Sequence, residues 1–382
     1  MRTNFSASSI KCFIIVTILG ALANVTHANS SLDLLDLPAF KSSLASKSIL
    51  MSMTHDEDDV LAVGERGHII NWENDNNWQQ HNSPVSVTIT DVSLLSDGSK
   101  IAVGHDGVIL KATSGSTTWR KVLTGREITK LKIEQLNIQY KALKLTASTI
   151  TDEYKLEELS FQLDDLAFAI EDSQIELTSG PNKPLLSVTN TSNDTLFASG
   201  AYGTLLTSTD KGETWQLVDN LLENPDSFHL NHIISASNDK LYIVGENGIG
   251  FHSDNLGKKW SAMSLPYSGS IFGIIANAEH NKTQLVAFGL QGNLMVSLDG
   301  GAKWQHHKLP TSASILGGVF SQKSTAYIVG HGGLIVSVNP TDLTKINIKK
   351  HPSGAAFSSV LVKGDTLILA GQFGISQWPI KK

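Results

Sequence analysis

The residues of this sequence best suited to chemistry are scattered aspartates, histidines and arginines, and their spacing argues against catalysis. Several aspartates stand in turns of the form Ser-x-Asp-x-Gly, where the carboxylate is expected to bond the backbone of its own turn. The pairs His229-x-x-His232 and His306–His307 lack the i, i+4 helical spacing that places two imidazoles on one metal. We therefore predict no catalytic residue, no bound metal and no cofactor.

The aspartate turns follow a pattern of eight residues, Ser-x-Asp-x-Gly-x-x-Trp. Two copies are complete, and a third, beginning at Asp254, carries the pattern with one extra residue before its glycine. The aspartate can bond the turn, the glycine can adopt positive φ, and the tryptophan can pack against a neighbouring element. The residues assigned to these structural turns are Ser208, Asp210, Gly212, Trp215, Asp254, Gly257, Trp260, Ser297, Asp299, Gly301 and Trp304.

A second pattern, an apolar run followed by Gly-x-x-Gly, occurs seven times and predicts the fold. Its first glycines are Gly64, Gly104, Gly200, Gly245, Gly289, Gly330 and Gly371. Neighbouring copies are 40 to 45 residues apart, except for one separation of 96 residues. A period in the low forties is the length of a four-stranded propeller blade. We therefore predict an all-β fold, a seven-bladed β-propeller.

The single long separation contains residues with helical periodicity. Apolar side chains recur alternately at three and four positions from Ile133 to Ile150 and again from Leu156 to Ile170. Asp152 lies where the second helix needs a cap. These patterns predict an inserted α-helical hairpin at about residues 127–177. Two roles are open for it, a pad packed on the propeller or an arm that docks a partner.

The two ends of the chain carry further predictions. The last repeat ends at Trp378, so we expect residues 31–43 to supply a missing fourth strand and close the ring. Lys11 precedes an apolar run that is too short to span a bilayer, with cleavage expected after Ala23 or Ala28. We thus predict a signal peptide at 1–28, a propeller at 29–382, and a periplasmic or secreted protein that does not span a membrane. The net charge of −6 argues against a nucleic-acid partner.

The segment from Gly180 to Trp215, which reads GPNKPLL and then FASGAYGTLLTSTDKGETW, resembles the photosystem II assembly/stability factor-like family of BNR (Asp-box) repeat propellers. The resemblance extends from about Ile49 to Trp378 and is to the non-photosynthetic bacterial type with a helical insert. It implies an exported, non-enzymatic propeller that binds a protein partner as an assembly or accessory factor. The partner it suggests is a membrane transporter complex.

The alternative function is a carbohydrate-binding or glycosidase-like propeller of the sialidase type, because sialidases also contain Asp-box turns. Sialidases hold a substrate carboxylate with three arginines, which suit the planar group through paired hydrogen bonds. Beyond the predicted signal peptide this chain has only Arg66, Arg120 and Arg126, and it lacks the Phe-Arg-Ile-Pro strand of that family. These differences favour the protein-binding function.

The dipeptides between the paired glycines form the predicted partner-binding site. Successive turns of an antiparallel blade lie on opposite faces, so all seven Gly-x-x-Gly turns should share one face. The residues assigned to the site are Glu65, Arg66, His105, Asp106, Tyr202, Glu246, Asn247, Gln291, His331, Gln372 and Phe373. The alternative is that they only fill the turns. We expect this face to be the main contact and the hairpin a secondary one.

Overall fold

The strands of the described residues form seven separate antiparallel sheets, each made from consecutive segments of the chain. The structure is a computed structural model that describes residues 33–56, 59–74, 77–180, 183–279 and 282–380. The predicted signal peptide at 1–28 lies outside the described residues. Leu34–Lys382 form one compact unit. Within the described residues, no helix has the length and apolar character that crossing a membrane requires.

The sheets are the blades of the propeller and are numbered here in chain order. The first four comprise β1 (Leu50–Asp56), β2 (Asp59–Gly64), β3 (Ile69–Asn74) and β4 (Asn77–Gln80); β5 (Ile89–Leu94), β6 (Lys100–Gly104), β7 (Ile109–Ala112) and β8 (Arg120–Leu123); β9 (Leu185–Asn190), β10 (Leu196–Gly200), β11 (Leu205–Ser208) and β12 (Gln216–Leu217); and β13 (Leu230–Ser235), β14 (Leu241–Gly245), β15 (Gly250–Ser253) and β16 (Ser261–Ala262). The last three comprise β17 (Ile271–Glu279), β18 (Lys282–Gly289), β19 (Asn293–Ser297) and β20 (Gln305–Lys308); β21 (Ile315–Phe320), β22 (Ala326–Gly330), β23 (Leu334–Asn339) and β24 (Asp342–Lys350); and β25 (Phe357–Lys363), β26 (Thr366–Gly371) and β27 (Gly374–Pro379).

The first strand of each blade lines the centre of the molecule. Each of these inner strands contacts the inner strand of the next blade, and β25 contacts β1, so the ring is closed. Seven clusters of buried apolar side chains fill the seven interfaces between neighbouring blades. The second strands are buried on both faces, which explains their unbroken apolar sequences. The predicted seven-bladed propeller is confirmed.

The predicted closure by an N-terminal strand is wrong for the residues that the structure describes. The last sheet has three strands, and residues 33–43 form turns and irregular chain. That segment instead bonds the connection between the first two blades, through Ala39 N–H to Ser83 O and Ser86 N–H to Leu34 O. Closure comes from side chains, because the last and first blades share a buried cluster and Ser358 Oγ donates to the carbonyl of Leu50 at 2.8 Å.

The predicted helical hairpin is also confirmed, and it consists of α1 (Gly125–Ala147) and α2 (Glu153–Ser179). Thr124 and Glu127 form a capping box at the start of α1. Asp152 caps α2 by accepting a hydrogen bond from the Lys155 N–H at 3.1 Å. The hairpin connects β8 to β9, from the outer strand of one blade to the inner strand of the next. In an antiparallel blade this connection leaves from the face that carries the Gly-x-x-Gly turns.

Candidate functional site

The first glycine of each Gly-x-x-Gly turn is needed because another segment passes close to it. A Cβ atom on Gly289 would lie 2.2 Å from the backbone oxygen of Ser270, just ahead of the inner strand β17. The six equivalent glycines meet the equivalent oxygen at 2.0 to 2.5 Å. The next residue, Leu290, donates its N–H to that same oxygen at 3.2 Å. The backbone of the turn is therefore held directly against its inner strand.

The two residues between the glycines play different roles. At the first position, Glu65 accepts a hydrogen bond from the Ile49 N–H at 3.1 Å, and Glu246 accepts one from the His229 N–H at 3.2 Å. These carboxylates stabilise the start of an inner strand, so they are committed to structure. At the second position five non-glycine residues adopt left-handed φ near +55°, and these are Arg66, Asp106, Tyr202, Asn247 and Gln291. Side chains at the second position are the better candidates for contacting a partner.

Tyr202 is the predicted site residue with the most developed surroundings. Its side chain is 54% exposed, and its ring centroid lies 5.0 Å from that of His229. His229 Nδ1 in turn lies 3.0 Å from a carboxylate oxygen of Glu246. Lys183 places its Nζ 5.6 Å from the Tyr202 ring centroid, a cation–π contact. The structure thus brings together Tyr202 and Glu246, whereas Arg66, His105, Asp106, Gln291, His331, Gln372 and Phe373 lie on the turns of other blades.

The hairpin stands beside Tyr202 and forms one wall of a groove. We define the hairpin groove by Lys132, Glu176, Lys183, Tyr202 and Asp219, which surround a cavity of about 740 Å³. Lys132 Nζ lies 2.8 Å from Asp219 Oδ2, and Lys183 Nζ lies 2.6 Å from Glu176 Oε2. The other Asp219 oxygen, Oδ1, is buried and has no hydrogen-bond partner among the described residues. A buried acceptor of this kind is costly unless a donor reaches it.

Sequence reasoning missed most of the hairpin groove. Lys132, Glu176 and Asp219 belong to neither repeat, and they lie in three different segments of the chain. Lys183 falls in the family-like segment GPNKPLL, which was the one available signal. The structure also joins two surfaces that the sequence treats as alternatives, because the hairpin and the turn that carries Tyr202 line the same groove.

The central channel contains a second polar cluster, built around Asp91. Its two carboxylate oxygens accept hydrogen bonds from Ser52 Oγ at 2.7 Å, Ser187 Oγ at 2.9 Å and two backbone N–H groups. These bonds tie three successive blades together. His232 lies nearby, and its burial lowers the pKa of the imidazole, although the Asp91 carboxylate opposes that shift. Because four donors already bond the Asp91 carboxylate, we assign the cluster a structural role in linking the blades.

In each Asp-box, side chains of the turn accept hydrogen bonds from the backbone of the same turn, as the sequence predicts. The acceptor differs from the prediction in the third box. Gly212 N–H donates to Ser208 Oγ at 2.9 Å, and Thr214 N–H donates to Asp210 Oδ1 at 2.9 Å. Partial burial alone would raise the pKa of Asp210, but hydrogen bonds from Thr214, Ser208 and Glu213 lower it to about 2. The complete copy at Ser297–Trp304 has the same bonds.

In the third box the acceptor is Asn255 and not Asp254. Gly257 N–H donates to Ser253 Oγ at 3.0 Å, and Lys259 N–H donates to Asn255 Oδ1 at 2.9 Å. The turn therefore has the ordinary spacing, with asparagine replacing aspartate, and no extra residue. An amide oxygen accepts the same bonds as a carboxylate oxygen. The Asp254 carboxylate instead lies 3.0 Å from Lys240 Nζ.

The predicted histidine pairs do not form shared sites, because the histidines have different neighbours. His229 lies on the Gly-x-x-Gly face, whereas His232 lines the channel. His306 Nε2 is 2.9 Å from Asn293 Oδ1 and its ring stacks on Tyr267. Within the described residues, no group of three or more His, Cys, Asp or Glu side chains could hold a metal. The three arginines lie on a turn, on β8 and on α1, and Arg120 pairs with Glu213 at 2.5 Å.

Residues 169–269 match the sequence profile of the family described as photosynthesis system II assembly factor YCF48. This region covers the end of the hairpin, the Tyr202 turn and two Asp-boxes, in line with the seven-bladed ring. Over these residues the chain is similar to the YCF48 family of BNR propellers. No curated protein matches its sequence.

Solved structures support the same fold at low sequence identity. The protein is similar to YCF48 bound to a D1 peptide, with 13% identity, a TM-score of 0.56, and coverage of 91% of this chain and 100% of that one. YCF48 from Cyanidioschyzon merolae gives 12% identity, a TM-score of 0.56, and coverage of 87% and 95%. The WD40 β-propeller domain of Doa1 gives 8% identity, a TM-score of 0.58, and coverage of 90% and 95%. At such identities the likeness is one of fold alone.

Proposed function

We propose that the protein is a non-enzymatic assembly or accessory factor that binds a segment of a partner protein in the hairpin groove. The observation that carries this proposal is the groove itself, where an exposed tyrosine, two lysines and an aspartate with one buried, unpaired carboxylate oxygen line one cavity. Grooves of several hundred Å³ with a few convergent polar groups are typical of binding sites. The solved YCF48 bound to a peptide shows that a propeller of this fold can hold one.

The charges of the groove indicate the chemistry of the segment. Two lysines and four acidic residues line it, and the acidic residues are Asp172, Glu176, Asp219 and Glu223. The excess of carboxylates, together with the unpaired Asp219 Oδ1, favours a segment that presents N–H or cationic donors. Tyr202 offers an aromatic face to the same segment.

The arrangement is poorly suited to catalysis. Glu176 and Asp219 each form an ion pair with a lysine, which engages both carboxylates in contacts within the protein. The three arginines lie on separate elements rather than converging on one cavity. Neither feature supports the sialidase-type alternative.

The proposal includes export, with residues 1–28 as a cleaved signal peptide and the propeller acting in the periplasm or outside the cell. Its basis is the sequence pattern of the first residues. The suggested client, a membrane transporter complex, comes from the family resemblance alone, so membrane fractions are the first material to test. Cell fractionation and the mass of the mature chain test the export.

Site-specific photo-crosslinking tests the binding proposal. A photoreactive amino acid replaces Tyr202 in one variant and Leu298, which is 40% exposed on an Asp-box turn of the opposite face, in the matched control. With solubilised membranes, we expect a discrete polypeptide adduct at position 202 and none at 298. Replacing Lys183 with Gln in the first variant should weaken the adduct at least several-fold.

Two outcomes contradict the proposal. Equal crosslinking at both positions would mean that the Tyr202 face is not the site. Saturable binding to an oligosaccharide on a glycan array, lost with Tyr202→Asn, would show that the groove takes a sugar. Fourfold replacement of Arg66, Asp106, Tyr202 and Phe373 extends the test to the whole face, and we expect it to abolish capture.

A further inference from the structure

The outward side of α2 carries a row of large apolar side chains at seven-residue intervals. We define the outer row as Tyr154, Phe161, Phe168 and Ile175, whose side chains are 87%, 65%, 66% and 56% exposed. Isolated exposed apolar residues are ordinary, but four in line along one helix are not. The row extends over about 30 Å at ~1.5 Å per residue.

Packing within the hairpin does not explain the outer row. The seam that α2 presents to α1 consists of partly buried side chains, and these are Leu156, Leu159, Leu163, Leu166 and Ile170. Tyr154, Phe161 and Phe168 each precede a seam residue by two positions, and Ile175 likewise precedes the partly buried Leu177, which turns the row to the far side of the helix. In a simple two-helix hairpin that side is polar. The outer row is therefore a second apolar face of α2.

Acidic residues border the outer row on both sides. Residues three and four positions apart are neighbours on a helix surface. Phe161 and Phe168 each have acidic residues at all four such positions, and the full set is Glu157, Glu158, Asp164, Asp165, Glu171 and Asp172. Among the described residues none of these six forms a salt bridge. The surface is thus an apolar strip between two lines of uncompensated negative charge.

The charge selects among possible occupants. An anionic lipid surface would be repelled. Symmetric pairing of α2 with α2 of a second copy would bring both sets of six carboxylates together, which is also unfavourable. A helix with its own heptad-spaced apolar row, flanked by lysine or arginine, would bury the strip and neutralise its borders. The period of seven is the spacing at which two helices keep one seam in contact.

We propose that the outer row of α2 docks a basic amphipathic α-helix of a partner protein. The outer row is separate from the hairpin groove, since none of its four residues lines that cavity, and the two surfaces share only the border residue Asp172. The protein would then hold a client at two places, with a segment in the groove and a helix along the arm. Two linked contacts raise the effective affinity without enlarging either of them.

Three labelled synthetic peptides of about three heptads test the proposal with the purified protein. The first has leucines at heptad spacing flanked by lysines, the second replaces each lysine with glutamate, and the third scrambles the first. We expect fluorescence anisotropy to show the first binding at least tenfold more tightly than either of the others. Equal affinity for the scrambled peptide would mean charge attraction alone and would overturn the proposal.

Variants locate the binding surface. Phe161→Ser together with Phe168→Ser should weaken binding of the first peptide at least tenfold, with the circular dichroism spectrum unchanged. The matched control is Leu145→Ser, since Leu145 is 70% exposed on α1 of the same hairpin, and it should have no effect. Asp164→Lys with Asp165→Lys should shift preference toward the glutamate peptide. An unchanged preference would contradict the role given to the acidic borders.

The two proposals fail separately. Lys183→Gln should leave binding of the first peptide unchanged while it impairs crosslinking in the groove from position 202. If sedimentation velocity instead shows a dimer that Phe161→Ser and Phe168→Ser dissolve, the occupant is a second copy, and the proposed foreign helix is wrong.

Discussion

The Asp-box turns and the Gly-x-x-Gly turns lie on opposite faces of the same blades and are stabilised in opposite ways. In an Asp-box, serine and aspartate or asparagine side chains bond their own turn, so these side chains are used up. In a Gly-x-x-Gly turn, a close backbone approach and one backbone hydrogen bond hold the turn, and in two turns a glutamate at the first variable position adds a side-chain hydrogen bond. The side chain at the second variable position can then be exposed, as that of Tyr202 is. This difference explains why the Gly-x-x-Gly face, and not the Asp-box face, is the better candidate for binding a partner.

The largest expected effect breaks the backbone contact of a Gly-x-x-Gly turn. Gly289→Ala puts a Cβ 2.2 Å from Ser270 O, so β17 must move away, and we expect a loss of about 3 kcal/mol or more in the free energy of unfolding. Gly332→Ala is the control, because its added Cβ meets nothing within 4 Å, and only its φ of +66° costs about 1 kcal/mol. Urea denaturation measures both. Similar losses would refute the close-approach explanation.

The next effect tests the opposite face, where side chains stabilise the turn. Asn255→Ala removes the acceptor of the third Asp-box, and we expect it to cost about 1–2 kcal/mol, as for the loss of a capping side chain. Asp254→Ala removes only an exposed ion pair with Lys240 and should cost less than about 0.5 kcal/mol. Thermal melts measure both variants. If Asp254→Ala destabilised the protein more than Asn255→Ala, Asp254 would be the acceptor of the turn, as the sequence predicted.

A smaller effect depends on pH. The pKa of Asp210 is lowered to about 2 in the folded protein, below the ordinary value of 3.8. The carboxylate therefore stabilises the fold above pH 3.8, and this stabilisation is lost as the pH falls toward 2. Asp210→Asn, which copies the natural third box, should lower the melting temperature at pH 7. The difference from the parent should shrink as the pH approaches 2, and a constant difference would contradict this account.

The smallest effect on stability is expected from the residues proposed to bind. We replace Arg66, Asp106 and Tyr202 with Asn, which tolerates left-handed φ, and Phe373 with Ser. The combined protein should unfold within about 1 kcal/mol of the parent, because exposed turn side chains support little packing. A loss of several kcal/mol would show that these side chains stabilise the turns, and the contrast between the two faces would disappear.

The sequence by itself determined the number of blades and the hairpin, because both are written in local periods. A strand–turn unit repeats near every forty residues, and a run such as Leu156 to Ile170 shows its 3.6-residue period without reference to other segments. The outer row was equally visible as a period of seven.

Only the tertiary structure decided how the ring closes and where a groove lies. Residues 33–43 bond the connection between two blades rather than the last sheet, and that choice depends on contacts between segments far apart in the chain. Lys132, Lys183 and Asp219 line the hairpin groove together because the hairpin lies beside the Gly-x-x-Gly turn of the next blade, which carries Tyr202. No local pattern records such a meeting, since side chains from distant segments converge only when the whole ring has formed.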